Sequence, residues 1–176
     1  MTIQVHDKQF VPWLSAYDIA EKVEDLAKKI NTDYAGKKPL FIAILNGSFI
    51  FAADLFRHIT IEAEICFIKL VSYKGTTTTG NVITAIGLDE NLQGRHIIVL
   101  EDIVDTGTTL HSFLPQLHNQ QPASVNICTL LHKQVATIHP LTITYCGFVI
   151  ENIFVLGYGL DYDGLGRNLP ELYQLL

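Results

Sequence analysis

Short apolar runs alternate along this chain with stretches whose apolar residues fall three and four apart, and the two periods predict strands and helices in turn. Ile19, Val23, Leu26 and Ile30 share one helical face. Ser15 stands where an N-cap belongs, with Asp18 three residues on, and Glu24 and Asp25 precede Lys28 and Lys29 by four. Residues 40–45 form an apolar run read as a buried strand, ended by Asn46-Gly47-Ser48, and a helix should follow to about His58. Strands are expected over 64–71 and 82–86, separated by the polar stretch 72–81, which has no periodicity. A polar turn over 89–95 leads to Ile97, Ile98, Val99 and Leu100, a run suited to a strand buried on both faces of a parallel sheet. Residues 108–119 are helical in pattern but contain Pro115, which should kink the helix. A strand over 124–131 ends at His132-Lys133, and strands over 146–150 and 153–156 flank a turn at Glu151-Asn152. Residues before Ser15, with Pro12 and Trp13, read as irregular, and 31–38 as a loop. Strands alternating with helices define an α/β class with a mostly parallel central sheet flanked by helices.

The densest chemistry follows the run at 97–100. Glu101 and Asp102 come at once, where the carboxyl end of a strand in an open α/β sheet meets its ligand. Asp105-Thr106-Gly107-Thr108-Thr109 then turns into the next helix. Such a turn suits a phosphate: its N–H groups face inward, the hydroxyls add donors, and the helix start contributes partial positive charge. Taken alone, the same turn also reads as threonines capping a helix.

Composition narrows the classes. At 176 residues, 48% hydrophobic and 17% charged, with net charge −6, the chain suits one compact domain over 1–176 and not a disordered segment. Its 12 Lys and Arg form no run longer than two, so nucleic acid is not an expected partner. The apolar stretch 39–56 is broken by Asn46-Gly47-Ser48 and carries Asp54, which argues against a membrane span. Cys66, Cys128 and Cys146 lack metal or disulfide spacing, and the N-terminal residues show no signal core, so a cytoplasmic protein with reduced thiols is expected. Gly157 to Gly166 fits neither the dinucleotide fingerprint nor a calcium loop, and His111 and His118 read as surface residues.

The whole string Val99-Leu100-Glu101-Asp102-Ile103-Val104-Asp105-Thr106-Gly107-Thr108-Thr109 resembles the phosphoribosyl-diphosphate motif of the type I phosphoribosyltransferases. That resemblance implies a parallel sheet with a small hood built from the chain ends. It also implies that residues 105–109 hold a 5′-phosphate and that Glu101 and Asp102 address the ribose hydroxyls and Mg²⁺. Within the family, Ser72 and Tyr73 opening a Thr-rich loop resemble the flap that closes over the reacting centre and excludes water.

Three later segments, which extend the likeness over about 40–170, resemble the purine-salvage branch. Lys133 follows a strand end as the residue that contacts the exocyclic oxygen of a 6-oxopurine. Phe154 and Val155 match the segment in which a ring stacks on the purine and the next backbone reads its edge. Asp161 would join the magnesium site and Arg167 would meet the pyrophosphate. The implied reaction is Mg²⁺-dependent transfer of phosphoribose from phosphoribosyl diphosphate to hypoxanthine, and to guanine, by an enzyme that is a homodimer or homotetramer. Asp105 is the expected catalytic base for the purine N7 proton. Two other readings stay open: a non-catalytic sensor of phosphoribosyl diphosphate, and a transferase for another base such as xanthine. One position departs from the family: where many members carry Lys-Gly beside the pyrophosphate, this chain has Asn46-Gly47.

Overall fold

The computed structural model describes residues 2–73 and 82–176. Its elements run β1 (Ile3–Val5), β2 (Lys8–Leu14), α1 (Ala16–Asp33), β3 (Leu40–Leu45), α2 (Phe49–Arg57), β4 (Glu64–Tyr73), β5 (Val82–Ile86), β6 (His96–Val104), α3 (Thr108–His118), β7 (Ser124–His132), β8 (Tyr145–Val149), β9 (Val155–Leu156) and β10 (Leu172–Leu175). The main sheet has the order β5-β4-β3-β6-β7-β8, and every neighbouring pair is parallel except β4 with β5.

The unbroken apolar runs of β3 and β6 follow from burial on both faces. Phe41 and Ala43 of β3, with Ile98 and Leu100 of β6, join one core under α1 and α2. Their neighbours Leu40, Ile42, Ile97 and Val99 join a second core under α3, where Leu110, Phe113 and Leu117 point inward. Each strand therefore alternates between two cores, and no polar face is left for water. At the start of α1 the Asp18 N–H donates to Ser15 Oγ at 3.1 Å, and that hydroxyl donates to Asp18 Oδ2 at 2.6 Å. The helix outlasts its predicted end and reaches Asp33, with buried Tyr34 as its cap.

The chain ends build a second, antiparallel sheet in the order β1-β2-β10-β9, the expected hood. Here local patterning misleads. The stretch before Ser15 is a hairpin, not irregular chain, and its turn uses His6 at φ 52° where glycine or asparagine would have marked it. Pro12 is tolerated because β1 pairs only up to Phe10 and the β10 register shifts between Leu172 and Tyr173, opposite Pro12 and Leu14. The strand expected over 153–156 is only Val155–Leu156 and belongs to the hood, whereas β8 belongs to the main sheet. Helix α3 runs on through Pro115 to His118.

Candidate active site

From β3 the chain passes through α2 to β4 on one side, and from β6 through α3 to β7 on the other. The strand order therefore reverses between β3 and β6, and the carboxyl ends of these two strands open a crevice of the kind that takes ligands in open α/β sheets. The turns after β3, β6 and β7 all face this edge.

The β6 turn is the cradle read in the sequence. Gly107, at φ 78°, occupies the N-cap of α3, and a Cβ there would also press on Leu141 and Thr137. The Thr108 N–H donates to Thr106 Oγ1 at 3.3 Å, and the Thr106 and Thr108 hydroxyls lie 3.0 Å apart. The segment after β7 braces this turn from behind: Thr137 Oγ1 donates to the Asp105 carbonyl at 2.8 Å, and the Ile138 N–H donates to the Thr106 carbonyl at 3.0 Å. A cavity of about 100 Å³, lined by Glu101, Ile103 and residues 104–110, lies over it. With its carbonyls occupied behind and the N–H groups of a helix start in front, the turn is shaped for an anion.

Beyond the strands, register decides which side chains meet. Val104 of β6 pairs with His132 of β7, so Asp105 and Lys133 leave adjacent strands together, and Lys133 Nζ meets Asp105 Oδ2 at 2.8 Å. The lysine is almost wholly buried while the aspartate side chain is 48% exposed. An ammonium and a carboxylate are thus fixed side by side, open on the carboxylate side.

Glu101 and Asp102 are both buried, and they lie within β6, which runs on to Val104. Burial, reinforced by the neighbouring Asp102, pushes the Glu101 carboxyl well above the usual range. Burial also raises Asp102, against the pull of the Ile103 N–H, which donates to Asp102 Oδ1 at 2.9 Å, and of Arg167. Burial thus favours the neutral form at both acids, most strongly at Glu101. Gly47, from the β3 turn, lies so close to Asp102 that a Cβ would overlap its carboxylate.

The third wall comes from the tail. Arg167 Nη2 meets Asp161 Oδ1 at 2.7 Å, and Arg167 Nη1 donates to the Gly159 carbonyl at 2.6 Å. Phe154 is 42% exposed, its ring set edge-on to Tyr162 at 5.8 Å and tilted against Phe10 at 6.2 Å, and Val155 beside it is buried. Ser72 and Tyr73 end β4, paired with Ile83 and Val82. Residues 74–81, most of the expected lid, lie outside the described residues.

The structure thus brings Asp105 to Lys133, Glu101 to Asp102, Gly47 to Asp102, and Asp161 to Arg167. Glu101, Asp102 and Asp161 do not converge as a set: among the described residues no three His, Cys, Asp or Glu side chains gather around one point. Gly159, Thr137 and Tyr158, which hold the site together, were missed, because each acts on a segment remote in sequence. The Gly-Tyr-Gly at 157–159 is the one local signal that the chain bends sharply there.

Switch-point acids, a braced anion cradle and an arginine on the facing wall define an α/β enzyme for a phosphorylated ligand. Residues 13–163 match the phosphoribosyl transferase domain family. The chain is 40% identical over 154 residues to the hypoxanthine-guanine-xanthine phosphoribosyltransferase of Tritrichomonas foetus, covering 87% of this chain and 84% of that one. It is 41% identical over 158 residues to the hypoxanthine-guanine phosphoribosyltransferase of Lactococcus lactis, covering 89% and 86%. A solved hypoxanthine phosphoribosyltransferase from Staphylococcus aureus superposes with a TM-score of 0.88 at 34% identity, over 94% of this chain and 91% of that one. The chain belongs to the phosphoribosyl transferase domain family, and it is a transferase.

Proposed function

We propose that the chain, over 1–176 as one catalytic unit, transfers phosphoribose from phosphoribosyl diphosphate to hypoxanthine and guanine, releasing pyrophosphate. One observation carries this reading: Asp105 and Lys133 form an ion pair at 2.8 Å beside a braced phosphate cradle. A 6-oxopurine presents a carbonyl oxygen and the adjacent N7, one wanting a donor and the other a partner for its proton. Lys133 supplies the donor at the oxygen, and Asp105, more exposed, manages the N7 proton. Phe154 offers a half-exposed ring to the purine face and Val155 its backbone to the purine edge. Residues 105–109 hold the 5′-phosphate. Glu101 and Asp102 hydrogen-bond the ribose hydroxyls, and Arg167 with the Gly47 N–H meets the pyrophosphate. The names of the relatives support the choice of base.

The residues also fit magnesium, in a particular way. Burial disfavours the charged form of Glu101, and among the described residues no three carboxylates gather around one point. Glu101 and Asp102 on β6 and Asp161 on the tail are the proposed carboxylate ligands for Mg²⁺, as separate contributors and not as one cage. Mg²⁺ prefers one or two carboxylates completed by substrate phosphates and water, and the partly exposed Asp161 beside Arg167 can give such an oxygen. Bound there, the ion would neutralise charge on the departing pyrophosphate. The free cysteines, Cys66 and Cys128 buried, support a reducing, cytoplasmic setting.

A panel of hypoxanthine, guanine, xanthine and adenine with phosphoribosyl diphosphate and Mg²⁺, read by pyrophosphate release, tests the reading. Turnover of hypoxanthine and guanine is expected. Tight phosphoribosyl diphosphate binding with no turnover of any base would make the chain a sensor instead.

A further inference from the structure

Gly157, Tyr158 and Gly159 all take left-handed backbone angles, φ 105°, 46° and 99°. Glycine accepts such angles freely and tyrosine does not, so something must hold Tyr158 there. Its N–H donates to the Leu169 carbonyl at 2.8 Å. Its hydroxyl donates to Asp54 Oδ2 at 2.6 Å, across to α2. Burial, with the Asp54 bond, raises the phenol and keeps it a donor.

The bend has consequences on both sides. The Gly159 N–H donates to the Arg167 carbonyl at 3.0 Å, and its own carbonyl accepts from Arg167 Nη1 at 2.6 Å. Gly159 also lies against the Gly47 carbonyl so closely that a Cβ would overlap it, while Gly47 lies in the same way against Asp102. Asp102, Gly47 and Gly159 are therefore stacked, with no room for a side chain at either glycine. Helix α2 starts directly after Ser48, so Asp54 ties the bend to the helix that the 46–48 turn begins.

We propose that Asp54 and Tyr158 form a latch that positions the Asn46-Gly47-Ser48 turn and Arg167 for the pyrophosphate end of the substrate, an inference that rests on the function proposed above. Neither side chain belongs to the substrate-contacting set. They are positioning residues, and their bond is strong because its acceptor is charged. A cavity of about 260 Å³, bordered by Ala20, Ile50, Leu169 and Pro170, opens beside the pair. Either partner can be rehydrated through it when the other is removed, which keeps the variants foldable.

Asp54→Ala, Asp54→Asn, Tyr158→Phe and the Asp54→Ala/Tyr158→Phe double variant test the latch. The readouts are KM for each substrate, pyrophosphate affinity by calorimetry with Mg²⁺, and thermal melting. Asp54→Ala and Tyr158→Phe should each raise KM for phosphoribosyl diphosphate and weaken pyrophosphate roughly tenfold while leaving purine KM unchanged. Asp54→Asn, which keeps an acceptor oxygen, should fall between them and wild type. The double variant should be no worse than either single one. Melting temperatures that fall while both KM values and pyrophosphate affinity stay put, or KM values that rise together, would overturn the latch. A wild type that turns over no 6-oxopurine would defeat the functional reading, and calorimetry on the same variants would still decide the latch. Wild type that fails to bind pyrophosphate would overturn both.

Discussion

The two ends of the crevice hold charge by opposite means. The 105–109 cradle is one continuous turn whose donors are its own backbone and hydroxyls, braced by Thr137 and Ile138. The opposite end is assembled from Gly47, Asp102, Gly159, Asp161 and Arg167, brought from three separate regions and fitted without side-chain space between Asp102, Gly47 and Gly159. A permanent phosphate group can be met by a contiguous, pre-formed nest. A leaving group that must be neutralised and then released is met by parts with separate supports. The first arrangement tolerates a local change, and the second does not.

Gly47→Ala is the sharpest test of that contrast. Its Cβ would force Asp102 or the turn aside, and kcat/KM should fall roughly 10²-fold or more, since displacements near 1 Å cost that much. Gly107→Ala meets mainly the flexible end of Leu141 and a left-handed φ, and should lose only about tenfold. Equal losses in steady-state kinetics would erase the distinction between the two ends. Asp105→Asn comes next: kcat should drop roughly 10²-fold with phosphoribosyl diphosphate affinity intact, because proton transfer typically supplies that much. An unchanged kcat would remove Asp105 from the chemistry.

Why one end was legible in the sequence and the other only in part follows from the same contrast. The 97–109 segment carries its strand, acids and turn within one stretch, so it was legible as a whole string that resembles a family motif. The Asp105–Lys133 contact was not readable, since it depends on β6 and β7 pairing in register. Gly159 on Gly47, Tyr158 on Asp54, and β10 closing the hood on β2 are contacts between distant segments that no local pattern encodes. The hairpin at the N-terminus was hidden for a different reason, a turn at His6 without glycine and a proline inside a strand.

Two smaller effects sharpen the pyrophosphate end. Asn46 stands where many family members have lysine. A cation about 6 Å from a pyrophosphate charge at an effective dielectric near 20 would contribute on the order of 1–3 kcal/mol before desolvation. Asn46→Lys should therefore tighten pyrophosphate several-fold and steepen its salt dependence, as read by calorimetry at two salt concentrations. Identical affinities at both would show that position 46 does not face the leaving group.

Glu101 gives the pH dependence. Its folded pKa lies above the ordinary 4.5, so the stability it contributes is complete below that value and is lost as pH rises through the raised folded value. Glu101→Gln removes the titration. The variant should melt about 2–4 °C above wild type at pH 8, with the gap closing towards pH 4. A gap independent of pH would show that burial does not raise the Glu101 carboxyl.

The most direct test of the account is the division of substrates at Lys133. Its partner Asp105 is half exposed, so Lys133→Ala leaves an aspartate that water can solvate and a fold that stands. Steady-state KM measured separately for hypoxanthine and phosphoribosyl diphosphate should rise roughly 10-fold or more for the purine, the size of a lost hydrogen bond to a charged group, and stay unchanged for phosphoribosyl diphosphate. Equal rises for both substrates would contradict the placement of the purine at the Asp105–Lys133 pair.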